Sequence, residues 1–333
     1  MESQMAPPEH EHVHSHDDAQ GDGQGNSRDG GDEEQEGVSE EEYLKTYAKV
    51  AEIGKKVKAF AREVVPKSAS LLQLAETLEA KIKEWGGEIA FPANLSRNGQ
   101  AAHYTPSSDD ETEIGEKDVL KVDLGVGIEG LMVDFAFTHD FSGENGKLVE
   151  AAEEAVQNAL SVMKAGASTR DVGKEIEKTI KARGFLPVEN LCGHLIEPYE
   201  LHAGVEVPNV ERGGYEFQEG QVFAVEPFAS SGEGSIREGD FLQIFMVKPD
   251  SRGQVRLPRS RELLSRILAE RVTMPFALRW YKDAPMLNLS IRDLAKNGVL
   301  EEFPVLEEVR KGSLVSQAET TVRIEKDGVE VLV

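Results

Sequence analysis

Apolar positions along this chain keep two different periods. Leu71, Leu74, Leu78, Ile82 and Trp85 recur every three or four residues and predict a helix closed by Gly86-Gly87. The helix before it is predicted to start at a Ser39…Glu42 capping box and to run to about Val65, stopping before Pro66. Both read as core packing and nothing more. Val119 to Ile128 and Leu131 to Thr138 are instead dense in Val, Leu, Ile and Phe and read as strands, joined by a tight turn at Glu129-Gly130. Two helices follow, about 146–165 and 169–183, the second opening with a Ser168…Asp171 box and closing at Gly184. Short strands are expected around His194, around His202 and over Val222 to Glu226, and again over Ser316 to Ile324 and at the C-terminus. Residues about 247–305 read as an inserted helical subdomain, basic around Arg259 to Val272 and punctuated by Pro275, Trp280 and Pro285.

Residues 1–38 fall outside this patterning. They hold Gly, Asp, Glu, Gln and His with almost no large apolar side chain, so they cannot offset their ordering entropy and read as a disordered acidic tail. His10, His12, His14 and His16 alternate within it, a spacing suited to adventitious capture of Ni, Cu or Zn. Residues 1–42 carry fourteen acids and one base, about half of the formal charge of -24, and the rest of the chain is acidic too. That balance argues against DNA binding. A single cysteine, Cys192, rules out an internal disulfide framework and suits the reducing cytoplasm. Neither a signal peptide nor an apolar run approaching the roughly 18 residues of a membrane span is found.

The hairpin geometry follows from its turn. Pairing Ile128 with Leu131 puts Asp123 opposite Ala136 and Asp134 opposite Gly125. Strand alternation then places both aspartates on one face as diagonal neighbours, roughly 5.5–8 Å apart at Cβ. The other face, with Leu124, Val126, Val133, Phe135 and Phe137, is core. Two aspartates alone describe a solvated strand face, but Gly125, Ala136 and Thr138 leave room on this one. Glu226 follows the apolar run Val222-Phe223-Ala224-Val225, a poor place for a surface charge, and Glu319 lies in Ser316 to Val322. His194 follows Gly193, which permits close backbone approach, and His103 and His202 also stand among small residues. A lone histidine is usually a satisfied core residue; three in such settings suit ligand or proton-transfer work. Asp123, Asp134, His194, Glu226 and Glu319 together make an oxygen-rich donor set for a pair of divalent cations, which can turn water into a nucleophile.

The segments Phe91-Pro92-Ala93-Asn94-Leu95-Ser96, Ala101-Ala102-His103-Tyr104-Thr105-Pro106, Asp123-Leu124-Gly125, Gly193-His194, Leu201-His202-Ala203-Gly204, Val225-Glu226-Pro227-Phe228 and Ser316-Gln317-Ala318-Glu319 resemble those of type 2 methionine aminopeptidase, in its archaeal form without a long extension. The resemblance covers about residues 40–333. It implies an α+β pita-bread fold, a pseudo-two-fold antiparallel sheet core flanked by helices, with the helical insertion between Glu226 and Glu319. It implies that Asp123, Asp134, His194, Glu226 and Glu319 bind two divalent ions (Co, Mn, Fe or Zn). It implies that Glu226 shuttles protons, that His202 steadies the scissile carbonyl, and that His103 lies at the first-residue pocket as the target of epoxide inhibitors. By position Phe91, Leu201, Phe228, Met246 and Phe303 would line that pocket. The implied reaction is removal of the initiator methionine from nascent chains with a small second residue, by a monomer in the cytoplasm, with the ribosome as an expected partner. Cys192 departs from the Ser or Asn expected there. Met1 precedes Glu2, a bulky residue, so the chain is expected to keep its own Met1.

Two other readings share these motifs. Prolidases and aminopeptidase P share the five ligands but usually carry a large N-terminal domain; only about fifty residues expected to fold precede Phe91 here, and the insertion fits type 2 better. Non-catalytic relatives that bind ribosomes or RNA lose ligands and gain basic tails, whereas this chain keeps all five and has an acidic one.

Overall fold

The computed structural model describes residues 39–249, 251 and 255–333; the acidic tail and its four alternating histidines lie outside them. The chain opens with two helices, α1 (Glu40–Val64) and α2 (Leu71–Glu84), capped by the hydroxyls of Ser39 and Ser70. Three short strands follow, β1 (Glu88–Ile89), β2 (Asn94–Arg97) and β3 (Gln100–Ala102), then the long hairpin β4 (Val119–Ile128) and β5 (Leu131–Asp140). The next helices are α3 (Gly146–Val162) and α4 (Thr169–Ala182). After them come β6 (Leu186–Pro187), β7 (Cys192–Ile196), β8 (Glu206–Pro208), β9 (Val222–Val225), β10 (Phe228–Ser230) and β11 (Ile236–Val247). The segment that follows holds α5 (Pro258–Arg271), β12 (Phe276–Ala277) and α6 (Leu287–Lys296), and returns through β13 (Leu300–Glu308). The chain closes with β14 (Val315–Gln317), β15 (Thr320–Glu325) and β16 (Gly328–Val331).

The hairpin register is the one its turn dictates: Ile128 pairs with Leu131, Asp123 with Ala136 and Asp134 with Gly125. Glu129 and Gly130 have φ of 52° and 83°, the positive pair of a type I′ turn, whose twist matches the flanking strands. One face of the hairpin is buried under α1 through Leu124, Val126, Val133, Phe135 and Phe137, which join Val50, Ile53 and Val57 in one core. A second core, under α3 and α4, covers the sheet of order β16-β15-β9-β7-β8.

Threonine hydroxyls join the hairpin to the strands of this second half. Thr321 Oγ1 accepts from the Asp134 amide (2.7 Å) and donates to the Asp134 carbonyl (2.7 Å). Thr138 Oγ1 does the same for Gln317, at 2.8 and 2.7 Å. The Glu319 amide donates to the Ala136 carbonyl (3.0 Å). Side-chain hydroxyls thus stand in for missing ladder bonds, and β5 is held against the β14–β15 corner without a continuous sheet.

Several local expectations are corrected. The third helix ends at Val162, short of Ala165, because Met163 is already extended. Ser168 caps α4 through the Arg170 amide rather than that of Asp171. His202 lies in an irregular loop, not a strand, because the chain reverses at the isolated Glu197–Glu200 bridge. α2 does more than pack: Glu79 is buried and pairs with the buried Arg279.

Candidate metal centre

The hairpin supplies the first two carboxylates, Asp123 and Asp134, both buried on the face away from α1. β7 supplies His194. Its predecessor Gly193 lets β7 approach β9, since a Cβ there would stand 2.3 Å from the Ala224 carbonyl oxygen. Glu226 follows the last residue of β9, and Glu319 sits between β14 and β15, turned to the hairpin by the hydrogen bond its N–H donates to the Ala136 carbonyl. All five side chains line one cavity of about 370 Å³. His194 Nε2 lies 3.6 Å from Asp134 Oδ2 and 3.7 Å from Glu226 Oε1. One ligand atom each from Asp134, His194 and Glu319 lies within 4.8 Å of the others. Gln317 Nε2 bridges the two glutamates, donating to Glu319 Oε2 (3.2 Å) and Glu226 Oε2 (3.4 Å).

Four carboxylates this close, away from water, cannot all ionise cheaply. Burial, followed by the Asp134 charge, pushes Asp123 well above the usual carboxylate range. Glu226 is raised by burial and by the Asp134 and Asp123 charges, and Glu319 by burial and by those of Asp134, Glu226 and Asp123. Burial raises Asp134 to about 7. The His194 ring is pulled down to about 4 by burial, so it is neutral and carries a ligand lone pair. Asp123 Oδ1, Asp134 Oδ1 and Glu319 Oε1 are buried without a hydrogen-bond partner among the described residues. Buried carboxylates are retained in proteins when paired or coordinating metal, and this donor set fits hard to borderline divalent cations.

His103 follows β3 with φ of 64°, a left-handed conformation uncommon for a non-glycine residue and concentrated at functional sites. Its Nδ1 lies 3.3 Å from the Pro304 carbonyl oxygen, and its ring meets Phe303 edge-on with centroids 5.7 Å apart. Desolvation pulls its pKa down to about 4. His202 is exposed, its ring edge-on to His194 with centroids 4.3 Å apart.

Of the expected apolar wall, Phe91, Leu201, Phe228 and Phe303 line the cavity and Met246 does not. Ile244 takes that place, opposite Phe303, while Met246 lies one step further along the same face, opposite Glu301. The register between β11 and β13 shifts twice just before Ile244, which no sequence period reveals. Asn94, Pro275 and Gln317 are also part of the site, and residue type alone gives no sign of it. Asn94 could have been found from its pairing, since it stands opposite Asp123 across β2 and β4. Cys192 borders the cavity, and burial, then the Glu226 and Glu206 charges, push its thiol up to about 12. A thiol raised that far is protonated at neutral pH.

Comparison with known proteins agrees with this chemistry. Residues 45–247 match the family description "Metallopeptidase family M24". The chain is 46% identical over 284 residues to a methionine aminopeptidase of Pyrococcus horikoshii, covering 84% of this chain and 95% of that one. Among solved structures, a thermophilic Arx1 superposes with a TM-score of 0.78 at 20% identity, covering 89% of this chain and 91% of that one. A methionine aminopeptidase of Thermotoga maritima does so at 0.62 and 20% identity, over 89% and 98%. At that identity these two likenesses bear on the fold alone.

Proposed function

Since the chain belongs to metallopeptidase family M24, alongside archaeal methionine aminopeptidases, we propose that it removes the N-terminal methionine from nascent proteins and peptides with a small second residue. The fold is the pita-bread fold of that family. The observation that carries the reading is the meeting, in one cavity, of five metal-ligand side chains with an apolar wall of Phe91, Leu201, Phe228, Ile244 and Phe303. The unbranched thioether of methionine suits such a wall. Cys192, Gly204, Val205 and Glu206 border the same cavity beside His202, which supports a limit on the size of the second residue.

Asp123, Asp134, His194, Glu226 and Glu319 are the residues that would hold the ions. Two divalent cations held there (Co, Mn, Fe or Zn) would supply Lewis acidity and would bring the pKa of water toward neutrality. Glu226, a carboxylate at the cavity wall within 3.7 Å of His194 Nε2, takes the proton of the attacking water and returns it to the leaving amine. Gln317 holds Glu226 and Glu319 in register while this happens. His202, at the open side next to His194, donates to the carbonyl oxygen as its charge develops. His103, neutral and locked between Pro304 and Phe303, borders the first residue.

No described helix is long and apolar enough to cross a membrane. We place the reaction in the cytoplasm, on a monomer acting where nascent N-termini leave the ribosome; sedimentation with ribosomes in gentle salt tests that association. The activity itself is tested with Mn or Co and the peptides Met-Ala-Ser and Ala-Pro. Release of methionine alone supports the reading. Cleavage of Ala-Pro instead assigns the chain to the prolidases, and silence on both with every metal favours a non-catalytic binding protein.

A further inference from the structure

Three wall residues of the cavity come from segments far apart in the chain. Phe91 follows β1, Leu201 precedes His202 in its loop, and Pro275 lies in the strap between α5 and β12. The strap is tied to both of the others. Arg271, the last residue of α5, donates from Nη2 to the Ala90 carbonyl (2.9 Å) and the Pro275 carbonyl (2.9 Å), and from Nε to Pro275 again (3.2 Å). Thr273 Oγ1 donates to the Tyr199 carbonyl (2.7 Å), two residues before Leu201. The Arg271 guanidinium lies over the Trp280 ring, 5.2 Å from its centroid, and Trp280 Nε1 donates to Glu79 Oε2 (2.9 Å). Between the tethers, Val272 has φ of 54° and ψ of -106°, a conformation that a β-branched residue keeps only where its surroundings impose it.

We infer that Arg271 is a positioning residue that sets the length of side chain the first-residue pocket accepts, by clamping the Pro275 strap to the Phe91 segment. The inference rests on the reading of this cavity as an aminopeptidase pocket. Arg271 touches no reacting atom. Its planar fork grips the Pro275 carbonyl through both Nε and Nη2 while Nη2 also reaches the Ala90 carbonyl, a geometry that a lysine ammonium cannot reproduce. Removing it leaves both carbonyls unpaired and frees a strained strap to move outward. Thr273 holds the other edge, so its loss acts in the same direction through Leu201.

The test uses the full metal-loaded chain as wild type, Arg271→Met, Arg271→Lys and Thr273→Val. The substrates are X-Ala-Ser peptides in which X is methionine or an unbranched side chain two methylenes longer. In Arg271→Met the kcat/KM ratio of the long substrate to the methionine one is expected to rise roughly tenfold or more, the range a methylene-sized change of pocket can command. The change falls on KM, with kcat for methionine within about threefold of wild type. Arg271→Lys is expected between the two, and Thr273→Val shifts the ratio less in the same direction. If Arg271→Met does not fold, the other two variants decide. Unaltered ratios in the soluble variants, whatever their melting temperatures, overturn the inference and leave Arg271 as a scaffold residue only. A wild type that leaves Met-Ala-Ser intact counts against the methionine reading instead, and the ratio is then taken on whichever first residue it releases.

Discussion

Phe91 lies against Gly125 so closely that a Cβ on the glycine would stand 2.4 Å from the ring's Cε1 and 2.6 Å from its Cδ1. Gly125 also pairs with Asp134, so the missing side chain marks where the apolar wall meets the face that carries Asp123 and Asp134. Gly125→Ala is expected to drive the Phe91 ring out of place at about 1–3 kcal/mol, as overpacking usually costs. The expected result is a rise in KM for Met-Ala-Ser of roughly tenfold with metal content unchanged. Steady-state kinetics beside elemental analysis checks it, and loss of metal would place the glycine's role elsewhere.

Metal affinity is expected to rise with pH through about 7, where Asp134 releases its proton. Asp123, Glu226 and Glu319 are raised as well and must also lose protons to coordinate, whereas His194, held down to about 4, is already neutral. The sign for the metal-free chain is the opposite. Groups whose folded pKa is raised stabilise the fold below about pH 4 and lose that contribution as pH climbs through their folded values, about 7 for Asp134. The gain in Tm on adding Mn should therefore be larger at about pH 8 than at about pH 5.5. Differential scanning calorimetry at the two pH values, with and without metal, measures it; an equal gain at both would refute the carboxylate assignment.

The ion pair of Glu79 with Arg279 is buried, and Trp280 Nε1 and the Ala93 amide donate to the same carboxylate. Arg279 also donates to Thr105 Oγ1 (2.6 Å) and the Pro106 carbonyl (3.1 Å). Glu79→Ala would strand a buried guanidinium, and is expected to cost about 3–5 kcal/mol in denaturant unfolding. A loss under about 1 kcal/mol would mean that water reaches the pair after all.

His103→Ala and His202→Ala are expected to lower kcat for Met-Ala-Ser by roughly a hundredfold or more while leaving bound metal unchanged. Neither ring is in the proposed ligand set, although His202 touches His194 edge-on. Metal analysis beside turnover separates the roles, and loss of metal in His202→Ala would make that residue a support of the centre.

Local geometry was readable from the chain, and residue type with the motif resemblance grouped Asp123, Asp134, His194, Glu226 and Glu319, which line one cavity; the other long-range contacts were not readable. The Asp123–Asp134 placement follows from a two-residue turn and a period of two, and both are properties of adjacent residues. The Ser39 cap and the start of α2 at Leu71 are local in the same way. Met246 shares a face of β11 with Ile244, and only the pairing with β13 shows that Ile244, opposite Phe303, is the one that lines the cavity. Glu79, on a helix that reads as plain packing, meets Arg279 two hundred residues later, and Arg271 meets Ala90 across 181 residues. Gln317 likewise gains its place between Glu226 and Glu319 only when the two halves join through Thr138 and Thr321.

The central claim is that methionine release depends on ions held by these five side chains, and Glu319→Ala tests it most directly. Metal bound per chain and methionine released from Met-Ala-Ser would be measured on the same samples at saturating Mn or Co. The account predicts that wild type binds about two ions and releases methionine, and that the variant binds about one or fewer with release abolished. Full activity in the variant, or two retained ions with no loss of turnover, would contradict it.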